Sequence, residues 1–135
     1  MNTKKFIITS IAVFIVYEIL ELIVNNLILM GTYESLSHVW RADMMSLMWL
    51  IYVTALVFSF LFVYIFTKGY EGKGLMEGVR YGLLIGLLMN LTASLYQYVV
   101  YPLPFSLVVQ WFIFGMIQFI IIGIVAAALY KPAKK

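Results

Sequence analysis

Four stretches of this 135-residue chain are continuously rich in Ile, Leu, Val and Phe. The hydrocarbon core of a bilayer is about 30 Å thick, and a helix of roughly 20 apolar residues crosses it. Membrane-spanning strands would instead alternate apolar and polar residues over about ten positions and close into a barrel. The continuous stretches are Phe6–Met30, Met44–Thr67, Leu75–Tyr101 and Phe105–Tyr130. The sequence therefore predicts an all-α polytopic membrane protein, with residues 1–135 forming one transmembrane domain of four helices in an antiparallel bundle.

The composition excludes several classes of protein. With 64% hydrophobic and 11% charged residues, the chain has too little polar surface for a soluble domain. It has no cysteine, which excludes a disulfide, a thiolate nucleophile and a cysteine metal site, and its single histidine cannot build a haem or metal centre alone. We expect no cofactor and no metal site. No nucleophile and base can be placed together from the sequence, so we assign no catalytic residue.

The distribution of basic residues predicts the orientation. Cytoplasmic connections of membrane proteins are enriched in Lys and Arg. Of nine basic residues only Arg41 lies in the first or third connection. The other eight are Lys4, Lys5, Lys68, Lys73, Arg80, Lys131, Lys134 and Lys135. We expect a bacterial inner-membrane protein with both termini cytoplasmic, and with Gly31–Asp43 and Pro102–Pro104 outside. The net charge of +3 reflects this bias and does not indicate nucleic-acid binding.

Acidic side chains within the first stretch are the most informative feature. An ionised carboxylate at the centre of a bilayer is costly, and intramembrane acids commonly mark functional sites. At 100° per residue Glu18, Glu21 and Asn25 fall within about a 60° arc, so one helix face is polar. Two interpretations stay open: protonated structural hydrogen-bond donors, or groups that bind a proton, a cation or a polar solute. Glu18 also interrupts a start that imitates a signal peptide, so we expect a retained helix.

Amides and glycines of the third and fourth stretches are expected at the same depth. The third stretch repeats glycine every four residues at 78, 82 and 86 and continues with Asn90 and Gln97, while Gln118 lies in the middle of the fourth. Such amides often join helices, and the glycines allow close packing or dimerisation. Alternatively, Asn90, Gln97 and Gln118 meet the acidic face in a ligand-binding pocket that opens outward, with an outer mouth formed by His38, Arg41 and Gln110.

The outer connection, Gly31–Asp43, is polar enough to be wet and also contains large apolar residues. Positions 33, 36 and 40 would line one side of a short interfacial helix that could cap the pocket. His38 and Arg41 could bind an anionic group, pair with Glu34 or Asp43, or stay solvated. In the Lys68–Gly74 connection the glycines predict a tight turn, since the Walker phosphate-binding pattern is absent from the sequence.

Three segments resemble those of uncharacterised small four-helix bacterial inner-membrane proteins. They lie within roughly the last three-quarters of the chain and read LSHVWRADMMSLMW (Leu36–Trp49), YIFTKGYEGKGLMEGVRYG (Tyr64–Gly82) and YPLPFSLVVQWFIFGMIQ (Tyr101–Gln118). The resemblance implies the same four-helix architecture in the same membrane. It implies no activity, ligand or site residue.

Three functions are compatible with these patterns. The first is a binding or transport protein that takes a proton, cation or small polar solute at Glu18, Glu21, Asn25, Asn90, Gln97 and Gln118, with a homodimer expected because four helices are few for alternating access. The second is a non-catalytic accessory subunit that docks onto a larger membrane complex through its amides and glycines. The third, an enzyme acting on lipid or quinone, is the least supported because the sequence offers no catalytic pair.

Overall fold

The computed structural model describes residues 1–132, and most of them are helical. The α-helices are α1 (Thr3–Leu22), α2 (Met30–Ser35), α3 (Met48–Lys68), α4 (Leu75–Val100) and α5 (Phe105–Leu129). A π-helical segment, Ile23–Ile28, continues α1, and a 3-10 turn, Met44–Leu47, precedes α3. The described part of the chain contains no strand.

Four helical segments are long and apolar enough to cross a membrane. They are Thr3–Ile28, Met44–Lys68, Leu75–Val100 and Phe105–Leu129, which we call the first to fourth spans. Each begins and ends within a few residues of the stretch that the sequence predicts. The all-α, four-helix membrane architecture is therefore confirmed. Lys134 and Lys135, which contribute to the predicted orientation, lie outside the described residues.

The bundle has two unlike ends. The long-connection end carries residues 29–47 and the Pro102–Pro104 turn, whereas the glycine-loop end carries the amino terminus and the Lys68–Gly74 loop. At the glycine-loop end, residues from all four spans form one apolar core. Its buried members include Val13 from α1, Phe62 and Phe66 from α3, and Ile122 and Phe119 from α5, with Tyr81 of α4 packed against them. This end of the bundle is closed by side-chain packing.

The closest packing in the bundle joins α4 to α5 through glycines. A Cβ built on Gly78 would lie 2.2 Å from the carbonyl oxygen of Gly123, and one built on Gly82 would lie 2.3 Å from that of Phe119. Only a residue without a side chain permits such an approach, as in the small-residue interfaces of membrane helices. The glycine repeat predicted to mediate close packing is therefore occupied within the chain by its own fourth span.

The first and second spans pack together at the glycine-loop end. There the Phe6 ring lies 5.7 Å from that of Phe60, and near the middle of the spans the Tyr17 ring lies 5.4 Å from that of Phe58. Towards the long-connection end the two spans leave a cavity between them, with Leu22 on one side and Ile51 on the other. The bundle is thus tightly packed in one half and more open in the other.

The π-helical segment alters the end of the first span. The Leu29 N–H donates to the carbonyl oxygen of Val24, five residues back, at 2.9 Å. Within the same segment, the Asn25 side-chain amide donates to the Glu21 backbone carbonyl oxygen at 3.0 Å. A regular α-helix offers that oxygen to the backbone N–H four residues on, so the side chain competes with the backbone here. Such π turns are rare and occur frequently at functional sites.

Residues 29–41 fold back over the long-connection end of α5. The helical part, α2, ends at Ser35 and is shorter than the predicted interfacial helix. Leu36 nevertheless packs in an apolar cluster with Leu103 and Leu107, and the Trp40 indole N–H donates to the Tyr33 carbonyl oxygen at 3.0 Å. The connection therefore covers this end of the fourth span, as the sequence suggests for a cap.

The Lys68–Gly74 loop is organised by one acidic residue. The Glu77 carboxylate accepts the backbone N–H groups of Glu71 and Lys73 at 2.6 and 2.7 Å. Gly72 and Gly74 have φ of 74° and 78°, which explains the predicted turn, because other residues rarely adopt these angles. Glu71 forms an ion pair with Lys73. The hydrogen bond that the Lys73 ammonium group donates within this pair, together with its charge, lowers the pKa of the exposed Glu71 carboxyl below its ordinary value. Glu77 thus caps the loop.

Candidate functional site

A polar cavity of about 280 Å³ lies between the first, third and fourth spans. The apolar core lies on its glycine-loop side, and the cluster around Leu107 lies beside it towards the long-connection end, where the lining residue Gln97 is exposed. α1 and α4 make few direct contacts, whereas each packs against α5. The cavity occupies the resulting gap, so its walls come from the first span and from the consecutive third and fourth spans.

The first-span wall is polar because of helical spacing. Tyr17, Glu21 and Asn25 are four residues apart and all line the cavity. The Asn25 amide also donates to the Glu21 Oε2 at 2.8 Å, in addition to its bond with the backbone. Glu21 keeps carboxylate acceptor capacity beyond this bond, since an ionised carboxylate offers about four lone-pair sites. A carboxylate oriented by an amide therefore forms one side of the cavity.

The third-span wall consists of Asn90, Ser94 and Gln97, spaced at three and four residues along α4. Gln97 is exposed, Asn90 is half-buried and Ser94 is 6% exposed. The exposed amide lies near the long-connection end of the helix, and Asn90 lies about 10 Å deeper by helical rise. Polar side chains thus extend from the end of the bundle into its interior.

The fourth-span wall combines Trp111, Gly115 and Gln118 on one face of α5. Gln118 is 5% exposed and lies roughly 20 Å along the helix axis from Phe105. A Cβ built on Gly115 would lie 2.4 Å from the Asn90 Oδ1, so the glycine provides the space that the Asn90 amide occupies. The third and fourth spans therefore bring two amides together deep in the cavity.

Two of these amides have unpaired donors. The Asn90 Nδ2 and Gln118 Nε2 atoms are buried and have no hydrogen-bond partner among the described residues. A buried donor without a partner costs about 1–3 kcal/mol. Both side chains line the cavity, so their unpaired N–H groups are available to a polar molecule bound there. Unpaired amide donors at a cavity favour a site for a polar ligand over a helix–helix interface stabilised by hydrogen bonds between side-chain amides.

A chain of hydrogen bonds closes one side of the cavity. The Tyr33 hydroxyl donates to the Asn25 Oδ1 at 2.6 Å and accepts the Trp111 indole N–H at 2.7 Å. With the Asn25 bond to Glu21, this links the first span, the outer connection and the fourth span. We call these four residues, Glu21, Asn25, Tyr33 and Trp111, the hydrogen-bonded wall. Burial raises the pKa of the Tyr33 hydroxyl above its ordinary value, so the hydroxyl keeps its proton at neutral pH.

Replacing Tyr33 by phenylalanine is expected to destabilise the bundle by roughly 1–3 kcal/mol, because the Asn25 oxygen and the Trp111 N–H each lose a partner. Thermal unfolding in mild detergent, followed by tryptophan fluorescence, measures the change. Tyr96→Phe is the matched control, since Tyr96 is 69% exposed and lines neither cavity. Equal melting temperatures for the two variants would show that the wall contributes nothing to stability.

A second cavity, of about 400 Å³, lies between the first and second spans on the other side of the hydrogen-bonded wall. We call it the lateral cavity. Its walls are mostly apolar and include Leu22, Met48 and Ile51. All four wall residues line both cavities, whereas Glu18 lines only the lateral one. Glu21 therefore borders both cavities, whereas Glu18 borders the lateral cavity alone.

The structure brings five of the six predicted ligand-binding residues to one cavity. Around the polar cavity lie Glu21, Asn25, Asn90, Gln97 and Gln118, and Glu18 is the exception. The three residues predicted at an outer mouth, His38, Arg41 and Gln110, are exposed and line neither cavity. Arg41 instead pairs with the Asp43 carboxylate at 2.8 Å, as the sequence allows.

Several cavity residues are not predicted from the sequence. Tyr17, Ser94 and Trp111 lie one or two helical turns from predicted residues on the same faces, so helical spacing alone could have found them. For Tyr33 the sequence predicts only a place on the segment that could cap the pocket, and not its hydrogen bonds to Asn25 and Trp111. Its position depends on the π-helical segment and on the fold of the outer connection, which periodicity does not predict.

Comparison with known proteins finds no matching family model, no matching curated protein and no matching solved structure. The arguments for function therefore rest on the geometry of the two cavities and on the charges around them.

Proposed function

We propose that this protein binds a small cation or polar solute in its polar cavity and carries it across a bacterial inner membrane. The observation that supports this proposal most is the convergence of Glu21, Asn90 and Gln118 from three spans on one cavity within the membrane-spanning bundle. Polar groups at this depth are costly, and those of membrane transport proteins commonly line substrate pathways.

The charges of the cavity favour a cation or a hydrogen-bond donor as the ligand. Among the described residues that line it, none is Lys, Arg or His, and Glu21 supplies a carboxylate. Neither ion pair in the described part of the chain involves Glu21. An anion would meet this carboxylate without a compensating positive charge, which is unfavourable at low dielectric. A proton, a metal cation or a small amine would neutralise it.

The basic residues support entry from outside. Lys4, Lys68 and Lys73 belong to the glycine-loop end, whereas Arg41 belongs to the long-connection end. By the positive-inside rule the glycine-loop end and both termini are cytoplasmic. The polar cavity then lies in the outer half of the bundle, and the apolar core around Ile122 separates it from the cytoplasm.

Transport would require a second copy of the chain. The apolar core at the glycine-loop end blocks a direct path, and four helices are few for alternating access. A homodimer in which the two copies rock against each other is the assembly that we propose. The alternative, an accessory subunit of a larger membrane complex, draws less support from the contacts. Its predicted docking groups, the glycines of α4 and the amides, are used within the chain or line the cavity.

Cysteine labelling tests the proposal directly, since the natural chain has no cysteine. In the Ser94→Cys protein, a trimethylammonium methanethiosulfonate reagent added outside sealed vesicles of known orientation is expected to modify the thiol. The matched sulfonate reagent should react roughly tenfold more slowly, because Glu21 attracts the cation and repels the anion. Tetramethylammonium chloride should slow the cationic reagent, whereas sodium acetate at equal ionic strength should not.

Leu95→Cys is the matched control. Leu95 adjoins Ser94 in sequence, is 46% exposed and lines neither cavity, so its thiol should face lipid and stay unreactive. Equal labelling of the two variants, or labelling of Ser94→Cys only from the cytoplasmic side, would contradict the proposed site or its orientation. A cation-selective flux in proteoliposomes would then separate transport from binding alone.

A further inference from the structure

The lateral cavity differs from the polar cavity in the chemistry of its walls. The second-span side is formed by apolar residues, Met44, Met48 and Ile51. The first-span side carries Leu22 together with the carboxyl groups of Glu18 and Glu21. At about 400 Å³ it is well above the roughly 150 Å³ that suffices for a benzene molecule. It therefore has room for an apolar group next to two acids.

The charges around the lateral cavity are of one sign. No described residue that lines it is Lys, Arg or His, and Glu18 takes part in neither ion pair of the described chain. Four aromatic side chains, of Tyr33, Trp40, Tyr52 and Trp111, stand around the same space. Aromatic faces attract organic cations, most strongly where water is excluded. Carboxylates and aromatic rings together favour a positively charged head group and disfavour a phosphate or sulfate.

Apolar burial alone does not select a ligand here. Within a bilayer an alkyl chain is already surrounded by hydrocarbon, so moving it into the lateral cavity brings little hydrophobic gain. The selective contacts are those of the head group with Glu18 and Glu21. Since Leu22 is 49% exposed and Ile51 is 54% exposed, the cavity edge lies open between the two spans rather than sealed. A ligand of this type would enter from the outer leaflet.

We infer that the lateral cavity binds a single-chain amphiphile with an ammonium head group. The ammonium group lies beside Glu18 and Glu21, and the chain passes Leu22 and Ile51 at the open edge into the surrounding hydrocarbon. This site is distinct from the proposed polar-solute site, although the two share the hydrogen-bonded wall. The inference depends on Glu18, which the polar cavity does not use.

Tryptophan quenching by brominated amphiphiles tests the inference. Trp40 and Trp111 line the cavity, and Trp49, which is 60% exposed, is removed as Trp49→Phe to lower the background. The protein is reconstituted in phosphatidylcholine nanodiscs and titrated with 11-bromoundecyl-trimethylammonium. The matched probes are 11-bromoundecyl sulfate and 11-bromoundecyl glucoside, which carry the same chain. Saturable quenching is expected from the ammonium probe at a mole fraction roughly tenfold lower than from either other probe.

Glu18→Gln should remove most of this preference, whereas Glu34→Gln, which changes an exposed acid of the outer connection, should leave it unchanged. Equal, non-saturating quenching by the three probes in the parent protein would overturn the inference without reference to any variant. The inference would also be overturned if brominated phosphatidylcholine quenched the tryptophans preferentially and the non-brominated ammonium amphiphile did not relieve that quenching. The lateral cavity would then be occupied by bilayer lipid.

The outcome is separable from that of the proposed function. Labelling of Ser94→Cys from outside should persist in Glu18→Gln, because Ser94 and Glu18 line different cavities. Loss of ammonium quenching with normal labelling contradicts only the lateral site. Normal quenching with unreactive Ser94→Cys contradicts only the polar site.

Discussion

Glu21→Gln is expected to remove most of the roughly tenfold preference of the Ser94→Cys protein for the cationic reagent, by slowing labelling with that reagent and speeding labelling with the anionic one. Unit charges about 4 Å apart interact with roughly 4 kcal/mol at an effective dielectric constant near 20, and about 1.4 kcal/mol corresponds to tenfold. A looser contact therefore still leaves a measurable change. Any proton-coupled flux should be abolished, while expression stays nearly normal because glutamine keeps the size and one acceptor of the carboxyl group.

Two further acids provide controls for this variant. Glu18→Gln should have a smaller effect on labelling at position 94, since Glu18 faces the lateral cavity. Glu34→Gln should have none, since Glu34 is exposed in α2. The proposed role of the carboxylates would be contradicted by two results together. One is an unchanged reagent preference in Glu21→Gln, and the other is an unchanged flux in the double variant of Glu18→Gln and Glu21→Gln.

Gly123→Val is expected to destabilise the bundle more than any other single change considered above. A Cβ at this position would lie 2.2 Å from the Gly78 carbonyl oxygen and 3.1 Å from the Gly82 Cα, both of which are backbone atoms. Backbone cannot rotate away as a flexible side chain does, so α4 and α5 must separate. Overpacking typically costs about 1–3 kcal/mol, and we expect at least the upper value.

Thermal unfolding in mild detergent, followed by circular dichroism, measures this cost. A loss of about 3 kcal/mol corresponds to a decrease in melting temperature of roughly 10 °C for a domain of this size. Gly69→Ala is the control, because a Cβ there meets no atom within 4 Å and φ at Gly69 is negative. Similar melting temperatures for Gly123→Val and Gly69→Ala would show that the close approach of α4 and α5 does not support the fold.

The spans are the part of this protein that the sequence predicts best. Length and hydropathy decide them, and the membrane requires helical hydrogen bonding within each. Helical spacing also predicts that the α4 glycines, Asn90 and Gln97 share one face, and depth along the spans predicts that Asn90 and Gln118 lie at the same level. This works because α4 and α5 are regular helices joined by a short turn, so their faces have few alternative neighbours.

The division between the two acids could not be predicted in the same way. Glu18 and Glu21 are about 60° apart around α1, so a prediction from helical spacing assigns both to the same helix face. In the bundle α1 has α3 on one side and α5 on the other, and 60° is enough to keep Glu18 out of the polar cavity while Glu21 borders both cavities. Which side chain enters which gap depends on how the spans cross. That crossing is set by packing in the core around Phe62 and Ile122, far from either acid in sequence.

If both proposed sites bind their ligands, the hydrogen-bonded wall links the two binding equilibria thermodynamically. The four wall residues line both cavities. A ligand in one cavity that moves Glu21 or Tyr33 therefore changes the shape of the other cavity and its affinity for a ligand. Linkage is reciprocal: if an amphiphile changes the affinity for a solute by some factor, the solute changes the affinity for the amphiphile equally. The concentration of ammonium amphiphiles in the membrane would then determine the affinity of the polar cavity for its solute.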